Sequence, residues 1–301
     1  MTISQRLRQP FSVALYNFRL WWGNPRIIVT FALSAGMCFL LSDKAVQFAE
    51  SHNTTLQLME TFIWTFGDSN SILLCSSLLV LLFADMPFLS AGTPLYLART
   101  SRTTWVLGQL IYVLAATVVY LTFVLVCNML FCAHLAFPGN QWSPTAAILG
   151  YTNAGTRVVI PAMLKTLEMS LPYEATATIY LLMLGYTGVM VMGMLYCNLR
   201  FGQAAGVVCV LGYSLYGILL QPDTFQLIFN LRDEAYYIAN VIIGWISPLN
   251  HATYSMHNFG YDKLPRLWQS YAIYGAAMLL LTFASIRAAK KYNFSFIGTE
   301  G

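Results

Sequence analysis

The sequence predicts an all-α polytopic membrane protein with six transmembrane helices in a single domain over residues 1–301. Only 9% of the residues are charged, 57% are hydrophobic and the mean hydropathy is +0.60, whereas about a quarter of the residues of a soluble domain are charged. Lipid offers the backbone no hydrogen-bond partner, so long apolar runs cross it as helices. Six runs are long enough, near residues 27–48, 72–88, 105–130, 176–197, 204–220 and 271–288.

Residues 1–24, ahead of the first run, predict a helix that lies in the membrane interface, which we call the elbow helix. Its apolar side chains recur at offsets of three and four residues: Leu7, Phe11, Leu15, Phe18 and Trp22. Arg6, Arg8 and Arg19 fall off this stripe, where they can meet anionic headgroups. Asn24-Pro25 then ends the helix and turns the chain into the first span. The alternative is a helix packed on a soluble domain, which this chain does not offer.

A basic segment between the second and third runs must return through water. It contains Arg99 and Arg102 and no acid after Asp85, and Pro94 can open a short helix because a missing N–H costs little in the first turn. We interpret residues 91–104 as a short cytoplasmic helix held between two spans. An ordinary basic loop that orients the spans is the alternative.

The distribution of positive charge predicts the orientation of the chain. With the N-terminus inside, the cytoplasmic segments hold ten of the sixteen Lys and Arg residues. This bias favours a multi-pass protein of the cell membrane with both termini in the cytoplasm. The net charge of +4 then indicates attraction to anionic membrane lipid rather than to nucleic acid.

The outer segments are predicted to differ in structure. Residues 42–70 are interpreted as a polar connector, and the apolar spacing within 157–171 predicts a helix on the outer surface. The outer segment 221–268 contains an apolar run at 236–248 that is too short to span, so it predicts a re-entrant or surface helix. Gly202 and Gly206 form a G-x-x-x-G pair, which serves close packing either within the chain or between subunits.

Few residues suggest chemistry on the chain itself. There is no G-x-x-x-x-G-K-[ST] phosphate loop and no H-E-x-x-H, so we expect no cofactor or metal on this chain, and any ATP and Mg²⁺ on a partner subunit. His251 and His257 are six residues apart, a poor spacing for two ligands on one helix face. Ser214, in Gly-Tyr-Ser, could suggest an intramembrane protease, but the sixth run contains no histidine to serve as its base. The six cysteines read as buried thiols.

Asp85 is the one acid within or beside the interior of an apolar run. An ionised carboxylate there needs a partner or water. We expect an interfacial ion pair, with Arg26, Arg99 or Arg102 as the basic partner. A proton relay is the alternative.

The order of these parts resembles the ABC-2 (type V) exporter permeases along the whole chain. Residues 5–26 correspond to an elbow helix and 240–250 to an outer excursion. Asp85-Met86-Pro87, Thr93-Pro94 and Arg99-Thr100-Ser101-Arg102 correspond to a cytoplasmic bracket between spans two and three. The chain departs from a common form of this bracket in having Gln109 where a lysine often follows.

The resemblance implies a dimer of permeases, either a homodimer or a pair with a close paralogue, bound to cytoplasmic ABC ATPases. The bracket would be the coupling helix that contacts the ATPase, through Pro94, Arg99, Ser101 and Arg102. The chain would not itself be an enzyme. Its aromatic, Met-rich spans favour an amphipathic substrate such as a peptide, drug, lipid or lipid-linked molecule, exported from the cytoplasm. A secondary transporter, which should show repeated halves, and a six-helix membrane enzyme, which needs a clustered polar set, are the alternatives.

Overall fold

Long helices dominate the computed structural model of the chain, which describes residues 3–84, 86–87, 100–152, 154–220, 227–228 and 236–292. The longer helices are α1 (Ile3–Arg19), α2 (Pro25–Ser51), α4 (Ser69–Phe83), α5 (Arg102–Cys132), α9 (Pro172–Phe201), α10 (Gln203–Leu219), α11 (Tyr236–Ile246) and α13 (Leu267–Lys291). The shorter helices are α3 (Glu60–Thr65), α6 (Pro144–Tyr151), α7 (Ala154–Val158), α8 (Leu164–Met169) and α12 (Pro248–Ala252), followed by a 3₁₀ turn at Tyr254–Met256. Two short strands, β1 (Leu56–Gln57) and β2 (Ala136–Phe137), pair in parallel.

Four of these helices, α2, α5, α9 and α13, are long and apolar enough to cross a membrane. Five of the predicted apolar runs lie on helices and the second lies on α4 as far as Phe83, and the fold is that of a helical membrane protein. However, α4 and α10 have only 15 and 17 residues, or about 22 and 26 Å at 1.5 Å per residue. Both fall short of a hydrocarbon layer about 30 Å thick, so six spans stay a prediction.

The helices α5 and α9 form the centre of the bundle. The helix α5 packs against α1, α2, α9 and α13, and α9 packs against α10 and α13. Small residues allow these close approaches: a Cβ at Gly185 of α9 would lie 2.5 Å from the Tyr274 ring of α13, and one at Gly206 would clash with the Asn198 side chain. Gly202 ends α9 with a φ of +97°. The Gly202/Gly206 pair therefore serves the turn and packing between α9 and α10 of one chain.

The bundle has two ends that differ in composition. The end that contains α1, the first turn of α5 and the C-terminal ends of α9 and α13 is called the N-terminal face. The opposite face contains α3, the strands, α6–α8, α11 and α12. This alternation of α2, α5, α9 and α13 between two ends agrees with the predicted multi-pass arrangement, whereas which end is cytoplasmic stays a prediction.

Two predictions for the opposite face are wrong. Residues 42–70 are not a simple connector, because α2 continues to Ser51 and α3 is buried along its whole length; its apolar residues Phe62 and Trp64 pack into the core. Residues 157–171 form no continuous helix, since α7 and α8 are separated by Val159 at a φ of +58° and by Pro161. Proline disfavours helix at the residue before it.

The short apolar run at 236–248 contains the helix α11, which is only 11 residues long; that it is a re-entrant or surface helix stays a prediction. After α11, α12 and the 3₁₀ turn fold back onto the bundle against α9, α10 and α4. The rest of the predicted outer segment 221–268 is described at 227–228 and 236–268 only.

Candidate functional site

The elbow helix α1 lies against the first half of α5. Its buried face consists of Val13, Ala14 and Asn17, with exposed fractions of 6%, 4% and 2%. They meet α5 at Gly108, where a Cβ would lie 2.6 Å from the Val13 Cβ. Small side chains on both helices therefore allow a close contact.

Polar and aromatic contacts fix α1 in register on α5. The Asn17 Nδ2 donates to the Gln109 Oε1 at 2.9 Å, in a buried bond. The Trp21 Nε1 donates to the Tyr112 hydroxyl at 2.7 Å, and the Phe18 ring packs edge-on to the Tyr112 ring with centroids 4.9 Å apart. Gln109 is thus the buried partner of the elbow helix.

The predicted apolar stripe of the elbow helix is divided in the structure. Phe11, Leu15 and Trp22 are 59%, 63% and 92% exposed, as a lipid-facing stripe requires. Phe18, in contrast, packs on α5. The side chains of Arg8 and Arg19 are exposed, as predicted, whereas the side chain of Arg6 lies outside the described residues.

The first turn of α5 joins two helices at the N-terminal face. Ser101 caps α5, its Oγ accepting a hydrogen bond from the Thr104 N–H at 3.1 Å. The Arg102 guanidinium donates to the carbonyl oxygens of Lys290 and Tyr292 at 2.8 and 3.0 Å. These two carbonyls belong to the end of α13, where a cation is favoured by unpaired carbonyls and by the helix dipole.

The other predicted coupling and ion-pair residues are only partly described. Pro94, Arg99 and Asp85 lie outside the described residues, so neither the coupling helix 91–104 nor an ion pair of Asp85 with Arg26 can be compared with the structure. Arg26 is exposed in the first turn of α2, where the Asn24 side chain accepts a hydrogen bond from its N–H at 3.1 Å.

Positive charge is concentrated at the N-terminal face. The residues of this face whose side chains are described include no acid and eight basic residues: Arg8, Arg19, Arg26, Arg102, Arg200, Arg287, Lys290 and Lys291. A cavity of about 270 Å³ opens between the ends of α9 and α13, lined by Tyr196, Arg200, Arg287 and Lys291 with two alanines. The face is therefore suited to anionic lipid or to an acidic protein surface.

The bundle interior is held by neutral polar contacts. The Ser34 hydroxyl of α2 donates to the Tyr120 hydroxyl of α5 at 3.2 Å, and Tyr120 donates to the Cys75 carbonyl of α4 at 2.8 Å. Farther along, the Ser42 hydroxyl donates to the Asn128 Oδ1 at 2.8 Å. These bonds connect three helices and satisfy groups that lipid would leave unpaired.

A buried carboxylate on the opposite face joins two loops. Glu60, fully buried at the start of α3, accepts hydrogen bonds from the Gln57 N–H at 3.0 Å and from the Ser143 N–H and hydroxyl at 2.8 and 2.7 Å. Burial raises the pKa of Glu60 to about 7, although these hydrogen bonds act in the opposite direction. Glu60 thus connects α3 to the start of α6.

Sequence reasoning did not select Asn17, Gln109 or Glu60. Gln109 could have been selected from the sequence, because it is a polar residue inside an apolar run and a buried amide needs a hydrogen-bond partner. Among the described residues there is no group of three or more His, Cys, Asp and Glu that could hold a metal ion.

Comparison with protein-family models, with curated proteins and with solved structures gives no match.

Proposed function

We propose that this chain is the membrane subunit of an ATP-driven exporter, which moves an amphipathic substrate out of the cytoplasm. The observation that carries the proposal is the contact of Arg102 with the end of α13, beside the docked elbow helix. In this proposal the N-terminal face is cytoplasmic and contacts a separate ATPase.

The contacts of α5 support a role in transmitting movement. The segment 91–104 includes Ser101 and Arg102, which cap and begin α5. The helix α5 is itself bonded to α1 through Gln109 and to the end of α13 through Arg102. A displacement of the segment would therefore move three helices together, which is what a coupling element must do.

Nucleotide can shift the permease only through contacts that differ between two states. Because the chain contains no phosphate loop, these contacts are proposed to lie on an ATPase with its ATP and Mg²⁺. The positive N-terminal face, with eight basic residues and no acid among its described side chains, favours a partner with an acidic docking surface.

The substrate proposal depends on the neutral, aromatic bundle. The rings of Tyr186 and Tyr213 stack with centroids 5.2 Å apart between α9 and α10. The helix α10 also leaves Val208, Leu211 and Leu215 exposed by 67%, 53% and 54%. A second permease copy is proposed to cover this row and to form with it an apolar path for an amphipathic molecule.

Site-directed crosslinking tests the partner and the orientation together. Ser101→Cys places a thiol at the exposed start of α5, and Lys263→Cys is its control on the opposite face. A membrane-impermeant maleimide should label Lys263→Cys on intact cells and Ser101→Cys only after permeabilisation. A bifunctional maleimide should then link Ser101→Cys, but not Lys263→Cys, to a protein that contains a phosphate loop.

Arg102 variants test coupling itself. In the reconstituted complex, Arg102→Ala should leave basal ATP hydrolysis in place and reduce substrate-dependent transport severalfold. Arg102→Lys should retain part of the transport, since one ammonium can reach a carbonyl, and Lys263→Ala, at an exposed lysine of the opposite face, is the control. Full transport in Arg102→Ala, labelling of Ser101→Cys from outside, or transport driven by an ion gradient without any ATPase would each contradict the proposal.

A further inference from the structure

Two histidines converge on one serine at the opposite face. His251 lies in α12, His257 follows the 3₁₀ turn and Ser270 lies in the first turn of α13; they are 3%, 0% and 0% exposed. The Ser270 Oγ is 2.7 Å from the His251 Nδ1 and 2.8 Å from the His257 Nε2. Both distances are those of hydrogen bonds.

The other nitrogen of each ring fixes its tautomer. The His251 Nε2 is 3.0 Å from the Trp245 carbonyl oxygen, and the His257 Nδ1 is 3.0 Å from the Thr253 carbonyl oxygen. A carbonyl oxygen can only accept, so each of these nitrogens carries a proton and donates it. In the neutral state, therefore, both rings present a bare lone pair to Ser270.

Ser270 cannot satisfy both lone pairs. A hydroxyl has one proton to donate, so with two neutral rings one of the contacts places a nitrogen lone pair against an oxygen lone pair. One additional proton completes the set: one ring donates to the Ser270 Oγ, and the Ser270 hydroxyl donates to the other ring. A buried group left without its hydrogen bond is costly, and this cost is removed by a single proton.

We propose that His251, Ser270 and His257 form a binding site for one proton, which links residues 248–257 to the first turn of α13. When the proton is bound, both contacts to Ser270 are hydrogen bonds. When it is absent, one of them is lost, and the attachment of this outer segment to the bundle weakens. The site is thus a proton-dependent link on the opposite face, and it does not depend on the proposed export function.

Charged and titratable groups surround the cluster. Lys165 of α8 forms an ion pair with Asp262 at 2.6 Å, in the loop that follows the 3₁₀ turn. The Tyr274 ring of α13 lies edge-on to His251, with centroids 6.3 Å apart. Glu174, in the first turn of α9, interacts electrostatically with Tyr254 of the 3₁₀ turn. These neighbours leave the two rings as the groups that can change charge within the cluster.

The environment limits the site to one proton. Burial, together with His251 and Lys165, lowers the pKa of His257 to about 4, and burial lowers the pKa of His251. Repulsion between two buried imidazolium rings excludes a second proton. The missing hydrogen bond at Ser270 favours uptake of the first proton, because that proton completes the bond. It does not favour a second proton. The pair should therefore titrate as a coupled unit rather than as two separate groups.

NMR of the imidazole nitrogens, on the full chain labelled with ¹⁵N-histidine in lipid nanodiscs, tests whether the cluster binds one proton. The sequence contains only four histidines, so few signals must be assigned. His251→Gln and His257→Gln assign the signals, and the exposed His134 is an internal reference. As the pH falls from 8 to 4, the signals of both cluster rings should shift with one shared midpoint that corresponds to one proton. The inference is overturned if neither ring takes up a proton, or if the two rings titrate at separate midpoints.

Substitution of the serine separates a shared proton from simple burial. Ser270→Ala should lower the shared midpoint by about one to two pH units, because a hydrogen bond to a charged group is lost. Ser285→Ala, which changes a second buried serine of α13, should leave the midpoint unchanged. In His257→Gln an amide N–H can donate permanently toward Ser270, so the His251 signal should lose its transition in this range. An unchanged midpoint in Ser270→Ala would refute the shared proton.

Discussion

Protonation of Glu60 should stabilise the fold, in contrast to the usual behaviour of a carboxylate that accepts hydrogen bonds. The pKa of Glu60 is raised from 4.5 to about 7 in the folded chain. Between these values the folded state binds more protons than the unfolded state, so the free energy of unfolding rises as the pH falls from about 7 to about 4.5, and levels off below that. The shift corresponds to about 3 kcal/mol, since each pH unit is worth about 1.4 kcal/mol.

The hydrogen-bond geometry explains why the acid form fits the site. When Glu60 is protonated, its Oε2 can donate to the Ser143 hydroxyl, which also accepts from the Ala146 N–H at 3.0 Å. The Gln57 N–H still has an oxygen to donate to. In Glu60→Gln, an amide NH₂ at this position would face the Gln57 N–H, so the variant should lose about 1–3 kcal/mol at every pH.

The measurement is unfolding by SDS in mixed micelles, for wild type and Glu60→Gln, from pH 4.5 to pH 8. The difference between the two unfolding free energies should change by about 3 kcal/mol across this range, because only the wild type titrates at this position. Glu168→Gln is the control, since Glu168 of α8 is an exposed glutamate on the same face. A difference that does not vary with pH would refute the reasoning.

Two further substitutions test the packing of α5. Gly108→Ala should destabilise the chain by about 1–3 kcal/mol through overpacking and expose α1 to proteolysis, because its Cβ would lie 2.6 Å from the Val13 Cβ. The control Gly36→Ala, whose Cβ would have no atom within 4 Å, should be neutral or stabilising by up to about 1 kcal/mol. Equal effects of the two substitutions would contradict the docking of α1. Asn128→Leu should lower the SDS concentration at the unfolding midpoint, because it removes the acceptor of two buried hydroxyls, at a cost of about 1–3 kcal/mol. Val126→Leu, at an exposed position of the same helix, should leave the midpoint unchanged. A wild-type midpoint in Asn128→Leu would show that those hydroxyls find other partners.

The sequence by itself determined the class of protein and the location of its helices. The six predicted runs agree with helix bounds to within a few residues at most ends; for example, the run 105–130 lies inside Arg102–Cys132. Apolar length and low charge are local properties that any window of the sequence contains. The same local signals located α11 as a helix too short to span.

Local signals did not determine which side of a helix meets a partner. The elbow helix has an apolar stripe with Phe11 and Leu15, yet the face that packs on α5 contains Val13, Ala14 and Asn17. In a membrane the large apolar side chains can remain in lipid, and close helix contacts favour small residues. Periodicity therefore predicts that the helix has two sides, and only the packing against Gly108 decides which one is buried.

Pairs distant in sequence were decided by the tertiary structure alone. Glu60 meets Ser143 across 83 residues, Arg102 meets Lys290 across 188, and His251 and His257 meet at Ser270. The six-residue spacing of the histidines was judged only for two metal ligands on one helix face, and it says nothing about two residues on separate turns. An interruption of the helix at Thr253, between α12 and the 3₁₀ turn, brings both rings to one hydroxyl, and such a convergence depends on backbone turns that the spacing of residues does not contain.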